Sequence, residues 1–523
     1  MNGAESLVRT LVAAGVDICF ANPGTSEMHF VAALDRVPEM RCILGLFEGV
    51  VTGAADGYGR MADKPAATLL HLGGGLSNGM SHLHNAGKSN TPIVNIVGDQ
   101  ATYHRRHDPD LGSSMDIEGV SRAVSHWVRT SRSPGALAQD GADAITAALT
   151  PPGSIATLIM PADVSWGESD SVKPAFAESA PRRSSAAREA IRATANIIRS
   201  REPVVLMLSG LGTRSKALSI AAAIAAATGI RVMVPPLNAR IERGAGRASV
   251  ERLPYPIDQA LAALKGVRHV ILAGARAPVA NFAYPGKPSM LTEAGCRIHV
   301  LAKPEENIAE ALEWLADELG VADTRPNAAY PDVTRSAPRD LPTGALTSQS
   351  IGAALAACLP DNAVVIDESL TSGRTFYAAM ADAAPHDWLQ NIGGAIGMAM
   401  PIGVGAAVAC PDRRVVCLEG DGCGMYMPQA LWTQARERLK VTTVVFANRS
   451  YAILRQELTN VGAANPGPTA LNMLDIGNPD IRWTGLANSL GVPAERATTS
   501  EELTAQLDRA LREAGPYLIE IAL

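Results

Sequence analysis

"RVVCLEGDG", residues 414–422, drives an apolar run straight into an aspartate set between two glycines. A short continuous apolar run closed by glycine is the pattern of a strand buried on both faces, as in a parallel sheet. The next stretch has helical periodicity, "MPQALWTQARERL" (427–439), and then a second buried run, "VTTVVFA" (441–447), ends at Asn448. A strand, a helix and a second parallel strand close with a right-handed crossover, so both strands finish at the same edge of the sheet. Loops at that edge are where open α/β sheets bind ligands. The spacing therefore predicts Asp421 and Asn448, 27 residues apart, side by side at a binding edge.

The same alternation extends toward the N-terminus. "VDICFANPG", "RCILGLF", "AATLLHL" and "PIVNIVG" alternate with helical stretches such as "SLVRTLVAAG" and "EGVVTGAADGYGRMA", and the block closes near "ATLIMPADVSWG". A polar stretch with Pro, Ser and Arg (168–189) reads as a linker. A second block holds "EPVVLMLSG", "IRVMVPP", "VRHVILAGA", "CRIHVLAKP" and the helix "ENIAEALEWLADELG", and a second linker (322–344) leads to the third. The expected architecture is α/β, with three doubly wound parallel-sheet domains at 1–167, 190–321 and 345–523. A chain of 523 residues is long enough for several cores.

Composition excludes several classes. Lys and Arg number 46 against 52 Asp and Glu, for a formal net charge of −6, without the basic excess of a nucleic-acid binder. Seven cysteines, an odd number with no CxxC pair, speak against a disulfide framework or zinc ribbon and for a reducing, cytoplasmic setting. The opening "MNGAESLVRTLVAAGVD" lacks the long apolar core of a signal peptide. "NIGGAIGMAMPIGVGAAVAC" (391–410) runs 20 residues without a charge and has Gly-xxx-Gly spacings. Glycine, alanine and a central proline dominate it and leucine is absent, so it reads as a buried glycine-rich loop and core helix rather than a membrane span.

At the predicted edge, an Asp421 carboxylate, an Asn448 amide oxygen and loop carbonyls make a hard-oxygen site of the kind Mg²⁺ takes, completed by water and phosphate oxygens. Gly420 and Gly422 let the backbone approach a ligand and leave N–H groups for phosphate. Alone, "GDG" is more often a turn or helix cap. The GDG motif followed by Asn at the next strand end resembles the thiamine diphosphate-binding motif. That resemblance implies that Asp421, Asn448 and the Ser450 backbone carbonyl hold the metal, with Gly420, Gly422, Cys423 and Tyr451 around the cofactor. "FANRS" has Ala447 where the family usually has a first asparagine.

The resemblance also requires a glutamate to hydrogen-bond N1′ of the aminopyrimidine. Glu48 in "CILGLFEGVVTGAADGYGR" matches it, an isolated acid among apolar neighbours, with Gly59 where alanine is usual. Read by itself, Glu48 would be a first-turn helix acid. By the same resemblance, Ile396 in "GGAIGMAMP" bends the cofactor into a V and the Gly394 carbonyl receives its 4′-amino group. Thr371 and Ser372 in "DESLTSGR" offer hydroxyls to the diphosphate, and Asn78 lies near the aminopyrimidine. The likeness spans the chain, as in acetolactate synthase and benzoylformate decarboxylase, whose cofactor halves come from different subunits. It implies a homodimer or homotetramer, an inactive isolated monomer and a small 2-oxo acid substrate.

Two details resemble benzoylformate decarboxylase. Thr25 in "NPGTSEM" stands at its pocket serine and His71 in "LLHLGGG" at an active-site histidine, where they would bind the substrate carboxylate and move protons. Phe282 and Ala283 stand where that enzyme has a second histidine, which favours carboligation of the acetolactate synthase kind. "LSGLGTRSK" and "AGARAPV" are weak as nucleotide turns, and FAD is not expected. "HRRHDPD" (104–110) reads as a solvated loop, and His82 and His84, two apart, are poor joint ligands. The expectation is a thiamine diphosphate- and Mg²⁺-dependent 2-oxo acid decarboxylase or carboligase. The alternatives are a hydroxyacyl-CoA lyase or oxalyl-CoA decarboxylase type of enzyme, or a non-catalytic cofactor-binding paralogue.

Overall fold

Glycines at the crossing of two helices set how the first and third blocks meet. In the computed structural model, a Cβ on Gly405 would lie 1.8 Å from the Ala54 carbonyl oxygen, and one on Gly57 would lie 2.2 Å from that of Ile402. The helices Glu48–Ala62 and Ala399–Ala409 therefore touch backbone to backbone, and Val50, Ala54 and Tyr58 share one core with Met398, Ile402 and Ala406. This explains the uncharged, leucine-free stretch at 391–410, of which 11 residues are helical. No helix among the described residues is long and apolar enough to cross a membrane. The structure describes all residues except 111–114, 170–172, 180, 322–339 and 464, so most of the second linker lies outside them.

Three sheets carry the fold. The first joins β1 (Ile18–Asn22), β2 (Arg41–Leu44), β3 (Ala66–Leu70), β4 (Ile93–Asp99), β5 (Trp127–Thr130) and β6 (Ile155–Pro161) in the order β2-β1-β3-β4-β6-β5, all parallel. The middle block supplies β7 (Val204–Leu208), β8 (Arg231–Val234), β9 (Ile241–Arg243), β10 (Glu251–Arg252), β11 (His269–Ala273) and β12 (Arg297–Ala302). All but β9 form the second sheet, ordered β10-β8-β7-β11-β12. The third comprises β13 (Ala363–Glu368), β14 (His386–Gln390), β15 (Val415–Gly420), β16 (Val441–Ala447), β17 (Ala494–Ala497) and β18 (Tyr517–Ala522). Its order is β17-β18-β16-β15-β13-β14-β9, with β9 antiparallel to β14. The α/β class with parallel sheets is as the sequence predicts, but β9 ties the middle block into the third sheet.

β15 and β16 pair in parallel with Gly420 opposite Phe446, so Asp421 and Asn448 emerge at one edge. All seven cysteines are free.

Candidate functional site

Asp421 leaves β15 as the first residue of a short helical turn, Asp421–Gly424, and is 4% exposed. One carboxylate oxygen accepts the Gly422 N–H at 2.8 Å, the other the Arg449 N–H at 2.6 Å. Burial pushes its pKa up, and those two donors pull it back. Arg449 takes the left-handed conformation (φ 57°), turning the chain after Asn448 back over the edge. The Asn448 amide oxygen accepts the Ser450 N–H at 3.0 Å, and its amide nitrogen lies 3.4 Å from the Ser372 hydroxyl, with Thr371 half-buried in the same turn. The Ser450 hydroxyl donates to the Leu474 carbonyl. The Tyr451 ring lies flush on Gly422, where a Cβ would fall 2.5 Å from a ring carbon, so only glycine fits. Gly420 closes β15, and Cys423 is buried with its thiol pKa driven far up by that burial and by Glu368, Glu419 and Asp421.

The donor chemistry of this edge fits a magnesium ion. Among the described residues no three His, Cys, Asp or Glu side chains gather around a point, so a cation here would draw on one carboxylate, one amide and backbone oxygen. Mg²⁺ accepts so sparse a protein set when water and phosphate oxygens complete its octahedron.

The second group sits on the first sheet. Glu48 opens its helix after β2 and is 8% exposed. Its carboxylate accepts the Asn78 amide N–H at 3.0 Å and lies over Gly75, where a Cβ would come within 2.8 Å of it. The stretch "LGGGLSNGM" opens a helix, Leu72–Lys88, whose other end reaches the glycine-rich segment of the third block. There Asn85 exchanges hydrogen bonds with the Ala395 backbone at 2.8 and 3.1 Å. Gly394, at φ +89°, has nothing within 4 Å of a built Cβ, and Ile396 beside it is half-buried.

A third group centres on His71, which caps that helix. Its Nδ1 is 2.8 Å from the carboxylate of Glu27, a residue with no solvent exposure. Glu27 also accepts from the Gly24 N–H and the Ser26 hydroxyl, both at 2.7 Å. A carboxylate on Nδ1 fixes the tautomer and leaves Nε2 to face outward from the half-exposed ring. Gly24 is needed because a Cβ there would lie 2.2 Å from the His71 ring. Thr25 is exposed, and it is Ser26 that makes the polar contacts of this turn. Sequence reasoning misses Glu27, Ser26 and Asn85. Glu27 carries the only local signal, as the acid closing "NPGTSE".

Within one chain no hydrogen bond among the described residues joins Glu48 or His71 to Asp421, Asn448 or Ser372. In the "HRRHDPD" run Arg105 is held by the buried Asp99, while His104 and Arg106 remain at the surface. The turn Gly210–Thr213 is closed by its own Thr213 hydroxyl, 2.7 Å from the Gly210 carbonyl and 2.6 Å from that of Arg240.

With this geometry in view, known proteins are informative. Residues 372–521 match the C-terminal TPP binding domain of thiamine pyrophosphate enzymes, and residues 1–118 match their N-terminal TPP binding domain. The chain is 50% identical over 522 residues to a Mycobacterium tuberculosis protein provisionally named acetolactate synthase large subunit IlvX, covering 100% of this chain and 99% of that one. It is 29% identical to benzoylformate decarboxylase of Pseudomonas aeruginosa, covering 97% and 96% of the two chains. Its fold is similar to that of the thiamine diphosphate-dependent 4-hydroxybenzoylformate decarboxylase of Rhodococcus jostii RHA1, with a TM-score of 0.85 at 24% identity over 99% and 98% of the chains.

Proposed function

The chain belongs to the thiamine pyrophosphate enzymes that process 2-oxo acids, and from that premise we propose a thiamine diphosphate- and Mg²⁺-dependent 2-oxo acid decarboxylase or carboligase. The observation that carries it is a pair of half-sites of complementary chemistry. One is the hard-oxygen edge of Asp421 and Asn448, and the other is the buried Glu48 held by Asn78. When bound, thiamine diphosphate supplies the electron sink that decarboxylation of a 2-oxo acid needs.

The chain's own residues divide the remaining work. Asp421, Asn448 and the Ser450 carbonyl hold Mg²⁺, and Ser372, Thr371 and the Gly420–Cys423 turn receive the diphosphate. Tyr451 backs Gly422. Glu48 hydrogen-bonds the pyrimidine ring at N1′ and exchanges a proton there, with Asn78 fixing its carboxylate. The Gly394 carbonyl would accept from the 4′-amino group, and Ile396 would support the cofactor from below. His71, oriented by Glu27, presents Nε2 to the substrate as proton donor and acceptor, and Thr25 offers a hydroxyl to its carboxylate. Phe282 and Ala283, apolar where a second histidine would deliver a proton, favour transfer to a second carbonyl over simple aldehyde release. FAD has no part in this reading.

The first and third sheets form the pyrimidine- and diphosphate-binding domains (1–167 and 345–523), with 190–321 between them. The enzyme is a homodimer or homotetramer, and large exposed apolar side chains beside both half-sites support this. Leu46 is 45% and Tyr426 52% exposed, with Met425 next to Tyr426 in sequence.

The test is CO₂ release from pyruvate, branched 2-oxo acids and benzoylformate, with thiamine diphosphate and Mg²⁺ present and then omitted, followed by product identification. Cofactor-dependent CO₂ with a hydroxyketone or acetolactate establishes a carboligase, and with an aldehyde a decarboxylase. No CO₂ from any of them rejects the 2-oxo acid reading.

A further inference from the structure

The segment 393–399, which carries Gly394 and Ile396, is held by side chains along nearly its whole backbone. Asn391 accepts the N–H groups of Gly393 and Gly394 at 3.1 and 2.8 Å and donates to the Ala395 carbonyl at 2.6 Å. Asn85 takes the Ala395 N–H at 3.1 Å, and the His84 Nε2 lies 3.0 Å from the Gly393 carbonyl. Three further amides belong to Glu368. This residue ends β13, is 2% exposed, and accepts from Gly397 at 3.2 Å with one oxygen and from Met398 and Ala399 at 2.6 and 3.1 Å with the other.

Those amides open the Ala399–Ala409 helix, and its first N–H groups have no partner within the helix. A buried carboxyl group in their midst suits the helix dipole, and the three N–H donors offset part of its desolvation, which still pushes its pKa up to about 7. A second buried carboxyl, Glu419, stands opposite Glu368 on β15, and neither of its oxygens makes a well-formed hydrogen bond. Burial together with Glu368 drives its pKa far up. Between these anchored groups the Gly394 carbonyl is left over, as is the Ile396 backbone: no hydrogen bond among the described residues engages them.

We propose that Glu368 is a positioning residue for the cofactor. By fixing three successive amides it locks the loop so that the free Gly394 carbonyl and the Ile396 side chain stand where the pyrimidine ring and the bend of thiamine diphosphate require them. This rests on the cofactor reading above and adds to it a residue that does not touch the cofactor.

The consequence is selective. The diphosphate is anchored at the Asp421 edge, whereas the loop meets only the organic half of the molecule. Glu368→Gln keeps the size of the side chain but sets an NH₂ group against N–H donors. It is expected to weaken Mg²⁺-dependent thiamine diphosphate binding by about tenfold or more. Affinity for inorganic diphosphate with Mg²⁺ should stay within about twofold of wild type, both read by titration calorimetry. Asn391→Ala, which frees the other side of the loop, should show the same split and serves if the Glu368 variant does not fold. Equal loss of both ligands, or thiamine diphosphate binding as in the wild type, overturns the proposal. A wild-type chain that binds diphosphate but not thiamine diphosphate removes the cofactor reading instead, and the inference with it.

Discussion

In the proposed reading Glu48 and His71 serve different proton transfers, and their surroundings differ. Glu48 is nearly enclosed and has one polar partner in Asn78, so Glu48→Gln keeps the shape but cannot exchange a proton. Its turnover should fall by about 10²- to 10⁴-fold, the usual worth of a positioned acid or base, with calorimetry showing the variant still binds Mg²⁺ and diphosphate. His71 is hydrogen-bonded to Glu27, and in the proposed reading the two act as a unit. Glu27→Gln and His71→Ala should each lower kcat by about 10- to 100-fold, and the double variant no further than the worse single one. Additive losses in steady-state kinetics would mean that Glu27 serves only the fold. Glu48, Asp421 and Asn448 are legible in the sequence because each is a polar residue placed where an apolar strand stops. Glu27 is not, because its partner is 44 residues away and an acid opening a short helix is ordinary.

At the scale of elements, the crossing of Glu48–Ala62 with Ala399–Ala409 is the contact on which the geometry of the first half-site depends. Gly405→Ala or Gly57→Ala would force a methyl into backbone carbonyl oxygen, and each should cost about 1–3 kcal/mol in denaturant unfolding. His82 lies beside this crossing, fully buried, with Nδ1 3.0 Å from the Ser81 hydroxyl. Burial lowers its pKa to about 4 despite the nearby Asp56 carboxylate. The unfolded chain takes up this proton near pH 6.5 and the folded chain only near 4, so stability falls as pH drops through that window, by up to about 3 kcal/mol. His82→Gln should lose less stability than the wild type between pH 7 and pH 5, and identical losses would reject the assignment. Strands such as β3, β4, β6, β7 and β16 can be read from sequence because each is a continuous buried run. β9 cannot, because three residues carry no period and only the docked third sheet gives them a partner. The helical stretch "GMSHLHNAGKS" can be read from sequence, but the start of that helix at Leu72 is hidden by glycines, which favour turns when read alone but here make room for Glu48.

For the whole molecule the question is where one active site ends and the next begins. In the proposed reading each chain offers a pyrimidine-facing half around Glu48 and a diphosphate-facing half around Asp421, with no hydrogen bond between them among the described residues. Apolar side chains beside both halves stand exposed, among them Leu46, Tyr426 and, at 73%, Met473. Water is a poor partner for such surface, and a second chain that covered it would bring its own Glu48 to this chain's Asp421. Two inactive variants then become complementary. A Glu48→Gln chain keeps a working diphosphate edge, an Asp421→Asn chain keeps a working glutamate, and a mixed dimer holds one intact site and one doubly damaged site. Random reassociation of equal amounts makes about half the dimers mixed, so the mixture should recover about one quarter of the wild-type rate per site. Activity should appear with the time course of subunit exchange and should be absent from either variant alone. A mixture as inactive as its components, although native mass spectrometry shows mixed dimers, would place Glu48 and Asp421 of one chain in the same site.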